Sequence, residues 1–318
     1  MVNFLVFLIL LLMVLLSVAF FTLLERKILG YCHLRKGPNK SGVSGIFQPF
    51  SDALKLFSKE MNFMFYMNIF IHMISPILSI ILMMMIWMIF IFNSNAIYME
   101  MSIIYFLCVS SMSGYTILWS GWSSNSKYSL IGSYRGFAQV ISYEVSMAMM
   151  IISICMISHS YGMNCMVNIQ ENFMLIFSLS FLFLLWMLIC LAETNRSPFD
   201  LAEGESELVS GFNIEYGSWL FALIFMSEYG MIMAISLLTN YMFFGFKTLS
   251  NLTMMLIMIL FIIIRGTYVR YRYDKLMMMA WKVILPQTIF IFFSLFFIVF
   301  IFNSFCINFW NYLSYWSI

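Results

Sequence analysis

The sequence predicts an all-α, polytopic membrane protein with about eight transmembrane helices and short amphipathic or loop helices on one face. Three observations predict it. Sixty-three per cent of the 318 residues are hydrophobic and only 9% are charged, whereas about a quarter of a soluble domain is charged. Apolar runs of about 20 residues, enough to cross roughly 30 Å of hydrocarbon, recur at 2–24, 69–92, 101–118, 137–159, 173–192, 217–239, 249–264 and 283–302. Fifteen of the 16 Lys and Arg fall in four connections near 25–68, 119–136, 193–216 and 265–282, which leaves Lys247 alone on the other side. By the positive-inside rule those four loops face the cytoplasm or its organellar equivalent, and an even number of spans puts both termini on the far side. Residues 1–318 read as a single integral membrane domain. A net charge of +2 is too small to suggest nucleic acid; the bases report topology.

The first span lacks a basic leader and a small-residue cleavage site and runs straight into Glu25-Arg26-Lys27, so it reads as an anchor that stays. After it, Pro49 suits the first position of a helix whose apolar residues Phe50, Ala53, Leu54, Phe57 and Met61 follow helical spacing, with Asp52, Lys55 and Lys59 turned elsewhere. Such a helix lies in the interface plane rather than crossing. Pro76 and Pro286 are expected to kink the second and eighth spans, and His72 reads as a satisfied interface histidine. The connection from Trp119 to Arg135 is rich in Ser and Gly, small residues that permit tight packing.

The acids are placed less economically. Glu144 lies inside the fourth span and Glu228 near the middle of the sixth, where a carboxylate costs about 2.5–3.5 kcal/mol even on insertion scales. Between the fifth and sixth spans, residues 192–216 hold Glu193, Asp200, Glu203, Glu205, Glu207 and Glu215 against one base, Arg196. Ser197, Pro198 and Asp200 suit the cap, first position and box of a short helix over 197–210, which would set Glu203 and Glu207 one turn apart. The eight acids together read as coupled carboxylates that share protons. At the exit of the seventh span, Arg265, Arg270 and Arg272 stand among tyrosines, suited to balancing the acid stretch across a shared cavity. Six scattered cysteines and three separated histidines form no zinc, haem or iron–sulfur pattern, and no glycine-rich nucleotide motif occurs.

The run ETNRSPFDLAEGESELVSGFNIEY, residues 193–216, resembles the signature of the membrane subunit 1 family of respiratory NADH:ubiquinone oxidoreductase (complex I). LLERKILGY, LRKGPNK and QPFSDALKLFSKE resemble that family's segments in order. The family pattern RxxxPRFRYD is met at 265–274 with Val269 for its proline and Tyr271 for its phenylalanine. The resemblance implies a core membrane subunit, multi-pass in the mitochondrial inner membrane with both termini on the intermembrane-space side. It would form the membrane side of the quinone chamber, with ubiquinone as substrate. FMN and iron–sulfur clusters would lie on partner subunits, so this chain would carry no covalent cofactor, no metal and no catalytic residue of its own. Glu25, Arg26, Arg35, Asp52, Phe225 and Tyr229 are expected at the chamber or its entrance. Glu144, Glu193, Asp200, Glu203, Glu205, Glu207, Glu215 and Glu228 are expected to relay protons, and Arg135, Arg196, Arg270 and Arg272 to partner them; Gln139 is carried over beside Arg135. The expected partners are the peripheral quinone-module subunits, neighbouring membrane subunits and lipid. Thirty-one Met and 35 Phe fit an organelle-encoded chain from an AT-rich genome. Two other readings stand beside it: a self-sufficient proton or cation transporter, which would show paired interrupted helices, and the equivalent subunit of a membrane-bound hydrogenase-type complex.

Overall fold

Leucine, isoleucine, methionine and phenylalanine in runs longer than 20 residues leave the backbone one way to satisfy itself in lipid, the helix. The computed structural model describes residues 2–61, 63–94, 99–170, 173–202, 204, 208, 210–245 and 250–315, and no strand occurs among them. The helices are α1 (Val2–Cys32), α2 (Gln48–Ser58), α3 (Ile69–Ser94), α4 (Ser102–Ser124), α5 (Lys127–Ser158), α6 (Met163–Ile169), α7 (Leu175–Ser178), α8 (Ser180–Glu193), α9 (Ser218–Thr239), α10 (Ser250–Thr267), α11 (Tyr273–Met279) and α12 (Leu285–Tyr315). A π turn over Asn240–Phe244 extends α9, and another over Ala280–Ile284 joins α11 to α12 just before Pro286.

Seven helices among the described residues are long and apolar enough to cross a membrane. The expected span at 173–192 differs from the rest. It breaks at Leu179 into the single turn α7 and the 14-residue α8, and α8 buries Leu182, Leu185, Trp186, Ile189 and Cys190. A helix of 14 residues rises only about 21 Å; one face of α8 packs on the bundle, while Phe181, Leu184 and Leu188 on the other stay exposed. The helices form an arc: α10 against α1, α1 against α9, α9 against α3, α3 against α4, α4 against α5, and α5 against both α8 and α12. The outer faces stay apolar and uncovered, as with Leu12, Met13 and Phe20 on α1 or Phe290, Phe297 and Phe300 on α12. An apolar exterior of this extent suits hydrocarbon, not water.

Three expected loops are shorter than the sequence suggests, because their polar residues continue helices; the first loses Glu25-Arg26-Lys27 to α1, which runs on to Cys32. The 119–136 connection is the end of α4, a tight reversal at Asn125 in the left-handed region (φ 50°), and the start of α5. Asn tolerates that conformation, and the surrounding Ser120, Ser123, Ser124, Ser129, Gly132 and Ser133 are all buried. Likewise the connection at 265–282 is helical except between α10 and α11.

The expected helix over 197–210 is overturned where the chain is described. From Thr194 to Ala202 the backbone runs through turns, with the Ser197–Pro198 bond cis. Burial is the physical reason: Phe199, Leu201 and Ala202 are all nearly inaccessible, which one helical face does not allow. The carbonyls a helix would use are also taken, Pro198 O by the Tyr271 N–H at 3.0 Å and Phe199 O by Gln139 Nε2 at 2.8 Å. The expected Glu203–Glu207 spacing lies outside the described residues. α5 presses on this segment through glycines. A Cβ at Gly132 would sit 2.9 Å from Gly211 Cα, and one at Gly136 would sit 2.8 Å from Ala202 Cβ. Gly132→Ala should therefore destabilise the chain by about 1–3 kcal/mol, read as a lower temperature of half-loss of the assembled protein on native gels; no shift would mean that the segment yields freely.

Candidate functional site

Gln139 organises the site from α5. Its Nε2 donates to Ala192 O and to Phe199 O, both at 2.8 Å, and so pins the end of α8 and the turn beyond it. The polar residues between those two anchors are thereby held in the bundle. Thr194 is half-buried, its hydroxyl returned to Cys190 O at 3.0 Å. Two cavities open on either side of this threonine, which lines both.

The first cavity measures about 80 Å³ and is lined by Glu193 from α8, Glu228 and Ser227 from α9, Ser75 and Ser79 from α3, and Ser113, Thr116 and Ser120 from α4. One water needs about 10–15 Å³ on this measure, so the space is polar and roomy enough for several. Glu193 is 7% exposed, and neither of its carboxylate oxygens has a hydrogen-bond partner among the described residues. A buried carboxylate without a protein donor is costly unless water or a proton reaches it. Glu144 on α5 lies close enough to repel the Glu193 carboxylate, and Glu228 close enough to attract Arg196. Of the eight expected relay acids, Glu193 and Glu144 are thus coupled electrically, and Glu228 lines the same cavity as Glu193.

The second cavity, about 20 Å³, is lined by Glu25 and Phe21 of α1, Arg196, Arg265 and Ile232, among others. Glu25 is the hub. It pairs with Arg265, accepts from Arg196 Nη1 at 3.3 Å, and accepts the Tyr229 hydroxyl. Arg196 also stacks on Tyr229, its Cζ 4.2 Å from the ring centroid, an added cation–π attraction. Burial by itself would lower the Arg196 guanidinium; Glu25, then Tyr229 and Glu228, more than offset this and hold it above its ordinary range. Arg196 is therefore a fixed charge at every working pH.

Phe221, Phe225 and Tyr229 make a ladder at helical spacing on α9, with centroids 4.3 and 6.4 Å apart. The amphipathic α2 forms as expected with its proline in the first turn. It is fastened to α1 by Arg26–Asp52 at 2.6 Å and by Phe20 against Phe50. Its Leu54 and Phe57 remain exposed, the arrangement of a helix lying on lipid. Arg35 is exposed nearby.

The remaining expected residues scatter around this centre. Arg270 approaches the acid stretch, since a Cβ at Gly204 would meet its Nη2 at 3.0 Å, and Tyr271 stacks on Phe199. Arg272 turns away to an exposed pair with Asp274 at 3.0 Å, and Arg135 sits 5.6 Å from the centroid of the Tyr273 ring. Asp200 and Glu215 are half-buried and line neither cavity. Glu203, Glu205 and Glu207 lie outside the described residues. Sequence reasoning missed Arg265 as a member of the Glu25 cluster, Thr194 as the wall between the cavities, and the hydroxyls lining the first. The signal for the hydroxyls was present: Ser113, Thr116 and Ser120 recur at helical spacing in an apolar span.

Residues 5–297 match the family model described as NADH dehydrogenase. The chain belongs to this family. It is similar to the NADH-ubiquinone oxidoreductase chain 1 of Rhipicephalus sanguineus, 66% identical over 97% of this chain and 99% of that one. The proteins of the same name from Anopheles gambiae and Sarcophilus harrisii are 46% and 45% identical, over 89% and 87% of this chain and 91% and 90% of theirs. The match spans both cavities of this NADH dehydrogenase-family chain, from Glu25 on α1 to Arg265 on α10.

Proposed function

We infer that this chain is a core membrane subunit of NADH:ubiquinone oxidoreductase, the enzyme named in its relatives. As such it is a multi-pass protein of the mitochondrial inner membrane, and the other complex I subunits are its partners. We propose further that it forms the membrane side of the quinone chamber and relays the quinone's redox chemistry to proton translocation. The observation that carries the relay is the cavity shared by Glu193 and Glu228, with Glu144 coupled to the first and Arg196 to the second.

Quinone reduction consumes two electrons and two protons. Until both protons arrive, the head group carries negative charge. Such a charge near Glu25, Arg196 and Arg265 competes with Glu25 for the two guanidiniums, and Arg196 in turn acts on Glu228. Weakening the hold of Arg196 on Glu228 favours the protonated acid, so a proton moves within the Glu193–Glu228–Glu144 group. The ring ladder Phe221–Phe225–Tyr229 and the lipid-facing α2 support an apolar approach to Glu25, with Arg26, Asp52 and Arg35 at its mouth. Arg270 and Arg135 would balance Asp200, Glu203, Glu205, Glu207 and Glu215 beneath the peripheral partners, which hold FMN and the iron–sulfur clusters. The basic loops then face the matrix and both termini the intermembrane space.

The test of the assignment is size. In mild detergent, native gels should show this chain only in a very large assembly that reduces quinone from NADH; recovery alone or as a small oligomer with proton conductance would favour a transporter.

A further inference from the structure

The first cavity has a second polar route leading out of it, built from residues that the relay described above does not use. His72 lies one turn into α3, 1% exposed, with its backbone N–H on Asn68 O at 3.0 Å. Asn68 is exposed, and its N–H donates to Ser123 O at 3.0 Å. The imidazole stacks on Tyr216, centroids 4.0 Å apart and planes 16° from parallel. Its Nδ1 is 3.4 Å from Ser123 Oγ, which is 3.4 Å from the Tyr216 hydroxyl. That hydroxyl is 2.8 Å from Ser75 Oγ, and Ser75 lines the cavity of Glu193 and Glu228. Each of these four side chains both donates and accepts hydrogen bonds, and all four are buried. Three of the four basic connections meet here, supplying Asn68, Ser123 and Tyr216.

We propose that His72, Ser123, Tyr216 and Ser75 form a proton-conducting chain between the end of the bundle bearing the basic loops and the acid-lined cavity, with His72 as its loading residue. This rests on the relay reading and adds the route by which the acids are resupplied. In one transfer, a proton that enters past the exposed Asn68 is taken by the buried His72 at Nε2, and the one on Nδ1 is released to Ser123 Oγ. Ser123 passes its own proton to the Tyr216 oxygen, Tyr216 its own to Ser75, and Ser75 its own to water or a carboxylate in the cavity. One proton enters, one leaves, and no group ends with a new charge. Histidine suits the loading position because one ring nitrogen can take a proton while the other gives one up. Burial pushes the Tyr216 phenol up, against the pull of its Ser123 and Ser75 hydrogen bonds, so it passes protons as a phenol rather than ionising. The two 3.4 Å links are longer than the 2.5–3.0 Å of an ordinary O–H···O bond. Both meet at Ser123, whose hydroxyl also bonds Ser120 O at 2.9 Å; rotation about its χ1 makes or breaks the chain.

Tyr216→Phe keeps the ring stacked on His72 and removes one oxygen, and His72→Phe keeps the stack and removes both nitrogens. In the assembled enzyme each should lower NADH:ubiquinone turnover at saturating quinone by about tenfold with the quinone KM unchanged, and the pair together should lose no more than either alone. Ser75→Ala, which leaves the stack intact, should match them if either aromatic variant assembles poorly. Turnover within about twofold of the parent in Tyr216→Phe and Ser75→Ala, or losses that multiply in the double variant, would overturn the chain. Glu193→Gln separates the two ideas. Loss there with none in Tyr216→Phe sinks only this route, whereas no loss in either sinks the relay itself.

Discussion

Glu193→Gln should leave the enzyme assembled and lower its quinone-reductase turnover by roughly 10–100-fold, the range in which a positioned proton-transfer group acts. The reasoning starts from what the carboxylate touches. Neither oxygen has a protein hydrogen bond among the described residues, and Glu144 opposes its charge. An amide of the same shape loses no partner and relieves a repulsion, so the fold has little to lose. What it does lose is a group that gains and gives up a proton. Turnover and pumping should fall together, since both wait on the same proton. Assays of NADH oxidation and of proton uptake in sealed vesicles, normalised to assembled enzyme on native gels, check this. A variant that pumps and turns over normally would show that Glu193 is a structural acid.

Arg196→Leu should act in the opposite manner, on stability first, by about 3–5 kcal/mol. The guanidinium is largely buried at 15% side-chain exposure, pairs with Glu25 and covers Tyr229. Without it Glu25, itself 5% exposed, keeps Arg265 and the Tyr229 hydroxyl but loses a second cation in a small, partly dry cavity. Arg196→Lys should recover part of the loss, because a lysine restores the charge while giving up the planar face that lies on Tyr229. The measurement is the fraction of chain retained in the large assembly after graded heating. Equal retention in Arg196→Leu and the parent would mean that Arg265 alone compensates Glu25.

How much of this was legible in the residues differs from element to element. The spans were, because lipid asks only for length and apolarity: α3 and α9 follow their expected runs closely, while α1 runs past its expected end to Cys32. The break at Leu179 was not, since no Pro or Gly marks it; the packing of one face of α8 on α5, a tertiary matter, goes with it. The helix drawn over 197–210 failed for a related reason. Ser197, Pro198 and Asp200 suit a helix start locally, yet Gln139 and Tyr271 take the carbonyls and the core takes Phe199, Leu201 and Ala202. Glu144 and Glu228 could be singled out by their cost in an apolar setting, and Glu193 by its place in the acid stretch; Glu228 and Glu193 do share a cavity. Which arginine meets which acid could not be read, because Glu25, Arg196 and Arg265 come from three separate parts of the chain. His72, read as a satisfied interface histidine, is indeed hydrogen-bonded and stacked; the sequence held nothing to connect it to Tyr216, 144 residues away.

Redox-triggered infrared difference spectroscopy of the assembled enzyme addresses the central idea most directly, that quinone reduction redistributes protons among the acids of one cavity. Reducing the bound quinone should change the absorption of protonated carboxyl groups. Glu193→Gln should remove part of that change, and Glu228→Gln should shift what remains, because coupled acids do not titrate independently. A carboxyl difference spectrum identical in the parent and in both variants would contradict the account.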